Sequence, residues 1–261
     1  MAFSGTDNII AALGHCNRVR KVKLLGLVDW QLEQVLVAMQ MPFPELTDLQ
    51  LEQREELSLV DTAIPDSFVG GSAPRLRSFR LYGIPFPGLP KLLLSATHLV
   101  YLWLTNIPHS GYISPEVIVA LLSVLSSLKC LTLGFRSPES CPDRETRPPP
   151  PSFIPALISL EFKGSIDYLE DLVTRIDTPQ LDTMKIRFLN LMDFDTPRLA
   201  QFISRTPKLE KRHATLLFYD YMARIKLLPG TLEITISCRE SNWQLSPSNR
   251  SVTPHCTHFL R

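Results

Sequence analysis

A short pattern of apolar residues recurs along the chain at nearly constant spacing, and it restricts the fold more than any other feature of the sequence. Its clearest copy is Leu99-Val100-Tyr101-Leu102-Trp103-Leu104, with leucine at the first, fourth and sixth positions. Leu102 and Leu104 are two apart, so an extended strand points both to one face and sends Tyr101, Trp103 and Thr105 to the other. Leu99 stands where the chain is still turning into the strand and can direct its side chain inward. A unit this small cannot bury its own apolar face, so copies must stack beside it.

The copies are Val19, Val22 and Leu24; Leu46, Leu49 and Leu51; Leu76, Phe79 and Leu81; Leu128, Leu131 and Leu133; Leu157, Leu160 and Phe162; and Leu181, Met184 and Ile186. Counting the copy at Leu99, successive first anchors are 27, 30, 23, 29, 29 and 24 residues apart. These spacings match the period of leucine-rich repeats, about 20 to 29 residues, to within one residue. The expected fold class is α/β: a leucine-rich-repeat solenoid of right-handed strand–helix units with a curved parallel sheet on its concave face. An eighth copy opens at Pro207-Lys208-Leu209 but puts Arg212 and Ala214 at the later anchors, and its apolar run slips to Leu216, Leu217 and Phe218. Leu232, Ile234 and Ile236 alternate with polar residues and read as a strand near the end of the stack.

Helices are expected between the strands. Trp30 to Met41 has Leu32, Val35, Leu36 and Met39 at helical spacing, with Asp29 as N-cap. Further helices are expected over Gly88 to Ala96, from Ser114-Pro115-Glu116 onward, over Ser165 to Ile176 and over Thr196 to Ser204. Proline stands two residues before an anchor at Pro44, Pro74, Pro155, Pro179 and Pro207, where it ends the preceding helix and holds the chain extended. One repeat domain is therefore expected over residues 1–238, with a proline-rich insertion at 136–152 and an irregular tail at 239–261.

Charge and cysteine content narrow the function classes. The 27 basic and 26 acidic residues nearly cancel, so no general attraction to nucleic acid or membrane is implied, and neither is expected as a partner. Five cysteines without a C-x-x-C pair suggest neither a disulfide framework nor a zinc ribbon, which fits a reducing compartment, cytoplasmic or nuclear. The amino terminus has no basic residue ahead of the short Ile9 to Leu13 run, unlike a secretion signal. No apolar run approaches the ~20 residues of a membrane helix.

Candidate catalytic and metal groups read as structure. Glu170 with Asp171, and Asp193 with Asp195, flank helices, where acids meet the positive end of the dipole. His255-Cys256-Thr257-His258 lacks further ligands at metal spacing. Gly70-Gly71-Ser72 precedes a strand and reads as a turn. No enzyme activity, metal or cofactor is expected.

Function is then expected on the outward strand positions. Arg80, Tyr82, Tyr101 and Trp103 should cluster at the middle of the sheet, and exposed Trp, Tyr and Arg are enriched in binding hot spots. The alternative is that Trp103 stacks on its neighbours or is covered by the insertion and stabilises the sheet through cross-strand pairs. Lys185 and Arg187, with Lys163 nearby, form a basic patch on the far strand, and Arg18, Arg20, Lys21 and Lys23 form another on the first. A solvated charged face is the ordinary explanation of such patches, and a site for an acidic peptide or nucleic acid is the alternative, although separate short patches on a neutral chain argue against nucleic acid. The candidate partner-binding residues are Arg80, Tyr82, Tyr101, Trp103, Lys185 and Arg187.

Several stretches also carry a family resemblance. They are Tyr168-Leu169-Glu170-Asp171-Leu172-Val173, Arg175-Ile176-Asp177-Thr178-Pro179, Phe194-Asp195-Thr196-Pro197 and Leu199-Ala200-Gln201-Phe202-Ile203-Ser204-Arg205-Thr206-Pro207. With Leu92 to Leu99 and Asn106 to Glu116, they resemble the repeat region of the F-box and leucine-rich-repeat proteins of mushroom-forming fungi, over about Asp7 to Trp243. In that family an F-box docks on the Skp1 adaptor of a cullin ubiquitin ligase, and the repeats select substrates. No F-box is visible here, so a Skp1-like adaptor is expected only if an F-box exists outside this chain. The resemblance implies a protein–protein interaction scaffold, the substrate-recognition part of an SCF-type ligase. The alternative is a free-standing or fragmentary repeat module with no ligase link.

Overall fold

The computed structural model describes residues 4–54, 62–137, 150–189, 196–209, 213–219, 222–228 and 231–237. Helix α1 (Ser4–Leu13) precedes strand β1 (Lys21–Leu27), which is followed by α2 (Asp29–Ala38), β2 (Asp48–Gln53), β3 (Ser78–Tyr82), α3 (Leu89–Ser95) and β4 (Tyr101–Ile107). Then come α4 (Pro115–Val124), β5 (Cys130–Phe135), β6 (Ser152–Phe153), β7 (Ser159–Gly164), α5 (Ile166–Thr174), β8 (Ile176–Asp177), β9 (Thr183–Leu189) and α6 (Pro197–Arg205). The last strands are β10 (His213–Tyr219), β11 (Met222–Leu228) and β12 (Thr231–Ser237). Ten strands form one sheet in the order β1-β2-β3-β4-β5-β7-β9-β12-β11-β10, and β6 pairs with β8 in a small second sheet.

From β1 to β9 the main sheet is parallel, and its register aligns the apolar triplets. Val22, Leu49, Phe79, Leu102, Leu131, Leu160 and Met184 stand side by side in one row. Leu24, Leu51, Leu81, Leu104, Leu133, Phe162 and Ile186 form the next. Both rows are buried except at Leu24, and Val19 is likewise only half-buried, because β1 has a neighbouring strand on one side alone. A one-residue slip would turn every anchor to the opposite face, so burial of one face holds this register.

The first anchors make a repeated turn. The N–H groups of Leu46, Leu76, Leu99, Leu128, Leu181 and Leu209 each donate to the carbonyl three residues earlier, at 2.9 to 3.2 Å. The residue after the first anchor then accepts two bonds from the following copy. Arg20 O takes the N–H groups of Thr47 and Asp48, and the same fork recurs at Thr47, Arg77, Val100, Lys129 and Ile158. Pro44, Pro74, Pro155, Pro179 and Pro207 sit inside these turns rather than in extended chain. Proline's fixed φ suits the second position of a β-turn, which is why it recurs there.

The helices follow the expected segments with different caps. Asp29 lies inside α2, where its carboxylate accepts from Gln53 Nε2 at 2.9 Å; the Val28 N–H is instead closed by Gln31 Oε1. Ser165 Oγ caps α5 by accepting from the Tyr168 N–H. Thr196 holds the N-cap position of α6, but the buried Glu170 of α5 reaches across to accept the N–H groups of Arg198 at 3.0 Å and Leu199 at 2.8 Å. Arg205 of α6 returns the arrangement, donating to the carbonyl of Val173 in the last turn of α5 and to that of Ile176 just beyond it. Each helix thus supplies the charge that its neighbour's open end attracts.

The core behind the sheet is continuous and aromatic in its second half. Tyr168 is 1% exposed, packs on Phe135 and Phe162 at centroid distances of 4.8 and 5.6 Å, and donates its hydroxyl to Ile113 O at 2.8 Å. The hydrogen bond satisfies the one polar atom that burial would otherwise strand. Arg175, also buried, is held by Asp171 at 2.9 Å and Glu116 at 3.0 Å, which ties α4 to α5.

The end of the sheet shows what the expected slip produces, and two other expectations are corrected. The slipped eighth copy keeps its turn at Leu209, but the chain then forms β10 and β11 antiparallel, and β12 returns to occupy the place beside β9. There Leu232 and Ile234 continue the two anchor rows next to Met184 and Ile186. The Ile176 end of the predicted α5 is strand β8, and Ser152, placed in the insertion, begins β6 beside it. Residues 138–149 of the insertion, Asp193 and Asp195, and the whole tail at 239–261 lie outside the described residues. No helix among those described is long and apolar enough to cross a membrane.

Candidate functional site

The outward face of the parallel strands is a set of chemical rows. The middle row reads Lys23, Gln50, Arg80, Trp103, Thr132, Glu161 and Lys185 from β1 to β9. Because neighbouring strands lie about 4.8 Å apart, residues adjacent in a row have touching side chains. Arg80 and Trp103 are such neighbours, and the guanidinium carbon lies 3.6 Å from the indole centroid. On the other side Tyr101 stacks on Trp103 at 5.2 Å with an interplanar angle of 6°. A guanidinium, an indole and a phenol therefore form one continuous stack. Tyr101 is 41% exposed and Trp103 half-buried, so the stack is open to an incoming group.

Tyr82 follows Arg80 on the same face of β3 and pairs with Thr105. It lines an open depression of about 340 Å³, whose far wall includes Lys185 and Arg187. Tyr82 thus shares one depression with Lys185 and Arg187, whereas Arg80, Tyr101 and Trp103 stand outside its lining. The floor is low because Gly134 of β5 has no side chain, while Thr132 is small and buried. A methyl group at Gly134 would stand 3.5 Å from Lys163 Cβ, in ordinary contact, so it would fill the floor without a clash.

Charge is distributed unevenly around this depression. Register sets Lys163 beside Arg187 and Glu161 beside Lys185. Three cations and one anion therefore occupy these two strands, and β12 sets Glu233 on the other side of Lys185 in register. By contrast, Lys21 of the first patch is answered by Asp48 at 3.7 Å, a surface pair. That patch lies at the opposite end of the parallel strands from Lys185 and Arg187.

Ser78, Thr132 and Gly134, which strand alternation puts on the outward face, are covered rather than exposed. They are small residues beside larger ones, as Thr132 is between Trp103 and Glu161. Gly134, Glu161 and Lys163 belong to the candidate site although sequence reasoning chose none of them as binding residues. A glycine at an outward strand position was the available signal, since it lowers the surface where flanking copies carry long side chains. Asn106, which also lines the depression, has φ of 53°. It sits where β4 loses register with β5, after Leu104. Asparagine tolerates that left-handed conformation better than most residues.

Cys130 is the thiol on this face, beside Tyr101. Burial pushes its pKa up, and the positive charge of Lys129 only partly opposes this. A protonated thiol is a weak nucleophile. Among the described residues no three His, Cys, Asp or Glu side chains converge as a metal site would require. His255 and His258 lie outside them.

The class defined by these features is an α/β protein with a parallel sheet, one face sealed by the core and the other carrying an open aromatic and basic surface. No family model, curated protein or solved structure matches the chain.

Proposed function

We propose that this chain is a leucine-rich-repeat solenoid that binds another protein on the outward, concave face of its sheet, as the substrate-recognition part of an SCF-type ubiquitin ligase. The repeat reading is supported by the two aligned anchor rows and by a turn and carbonyl fork that recur from copy to copy. The binding reading rests on one observation, the exposed Arg80–Trp103–Tyr101 stack. Large, stiff side chains held in place before binding lose little entropy when a partner covers them. The ligase link follows from the resemblance in the α5 to α6 region and needs an F-box outside this chain.

Affinity capture from a cytoplasmic and nuclear extract, comparing the wild type with Trp103→Ala by mass spectrometry, tests both levels. Partners lost in the variant support the binding face, and a Skp1-like adaptor among the retained proteins supports the ligase link. Partners captured without an adaptor leave a free-standing binding module. A partner set indifferent to Trp103 overturns the assigned surface.

A further inference from the structure

We infer that a second copy of this chain docks on the edge of β10, pairing β10 with β10 antiparallel about a two-fold axis and extending the sheet across both copies. This edge is separate from the concave face to which partner binding is assigned, so neither reading depends on the other. Among the described strands β10 ends the sheet, with β11 as its neighbour on one side. Register tells which of its backbone groups are open. Tyr219 and Met222 are partners, with Asp220 and Tyr221 alone between them. Residues flanking a two-residue hairpin link exchange both hydrogen bonds. Alternation then gives Leu217, Thr215 and His213 to β11 as well. The N–H and C=O groups of Ala214, Leu216 and Phe218 are left at the edge, where they form a template for another strand.

Self-complementarity makes the second copy the occupant. A pairing centred on Leu216 sets Leu216 against its own equivalent and Ala214 against Phe218 of the partner subunit. Every outward backbone group of one edge then meets an outward group of the other. No Asp, Glu, Lys or Arg occurs from His213 to Tyr219, so this pairing opposes no like charges. The register also runs Leu216, Ile225 and Ile234 in line with Ile186, and Phe218, Ala223 and Ile236 in line with Phe188. The apolar rows therefore reach the β10 edge instead of stopping before it, and pairing about the two-fold continues them into the second copy. The first edge is different. There β1 carries Lys21 and Lys23 and loses register with β2 before Leu27, features that discourage strand addition. Because directly opposed residues share a face, the Trp103 stacks of both copies would lie on one side of the extended sheet.

Light scattering after size-exclusion chromatography of the full chain, over a concentration series, tests the inference. The wild type should rise to twice the monomer mass as concentration increases. Leu216→Pro should stay monomeric, because proline removes an edge N–H while the bonds between β10 and β11 are retained. Circular dichroism verifies the fold of that variant. Cross-linking fixes the register independently. Under mild oxidation Leu216→Cys should give a covalent dimer at several times the level in the wild type or in Leu217→Cys, since only Leu216 meets its own equivalent across the axis. A wild type that is monomeric throughout means that the edge is closed within one chain, and it overturns the inference. So does a dimer that persists in folded Leu216→Pro, or a Leu216→Cys yield no higher than in the controls, either of which moves the dimer to another surface. If Leu216→Pro does not fold, the cross-linking comparison decides.

Discussion

The two faces of one strand, β4, obey different rules. Leu102 and Leu104 are 0% and 2% exposed, whereas Tyr101, one bond along the chain from Leu102, is 41% exposed. On the inner face each anchor of β4 lies between anchors of two other copies, and the rows admit only Leu, Val, Ile, Phe and Met. The outward row beside them runs through lysine, glutamine, arginine, tryptophan, threonine and glutamate. Stability is therefore concentrated on one side of the backbone, and chemical variety is confined to the other. A parallel sheet closed on one face alone can change what it binds without changing what holds it together.

The largest expected effect is at the inner face. Leu102→Asp puts an unpaired carboxylate into the anchor row and should cost roughly 4 kcal/mol, read as a large fall in the urea midpoint. A variant as stable as the wild type would show that the anchor rows are not the source of stability. Glu170→Ala comes next, since it strips two N–H groups at the start of α6 of their acceptor, and should cost about 2–3 kcal/mol. Glu170→Gln, which keeps one acceptor oxygen, should lose about half as much. Equal losses in the two variants would mean that packing, not capping, is what Glu170 contributes.

The outward face should respond more weakly. Trp103→Ala gives up a stacked pair and a cation–π contact at a half-exposed site, so about 1 kcal/mol is expected in denaturation. A loss matching that of Leu102→Asp would erase the distinction between the faces. The smallest effect concerns Cys130. Its raised pKa leaves less thiolate at neutral pH, so alkylation by iodoacetamide should be slower in the folded protein than in urea. The difference should narrow as pH rises through the folded-state pKa, and rapid alkylation at neutral pH in the native protein would contradict it.

Much of the architecture was legible because its signal is periodic. Triplets such as Leu99, Leu102 and Leu104 carry both the strand alternation and the turn that precedes it, and their spacing orders the parallel strands. Helix positions followed from Ser114-Pro115 and Thr196-Pro197, since proline fits the first turn of a helix. The caps themselves were less legible. Glu170 serves α6 rather than its own helix, and nothing local to Glu170 marks a partner 28 residues away. The strand order at the end of the sheet was not legible for a related reason. Ala223, Ile225 and Leu227 alternate with Arg224 and Lys226 as a strand would, yet alternation does not say which edge a strand joins.

The candidate site divides in the same way. Exposure of Arg80, Tyr101 and Trp103 follows from alternation, and so does the common face of Lys185 and Arg187. The meeting of Lys185 and Arg187 with Tyr82 around one depression depends on the pairing of five strands and on a glycine that lowers the floor. By itself the sequence determined which residues face inward, because burial of a periodic apolar pattern admits one register. Tertiary structure alone decided which outward residues meet, which helix end receives Glu170, and that β12 closes the parallel rows, because these depend on neighbours distant along the chain.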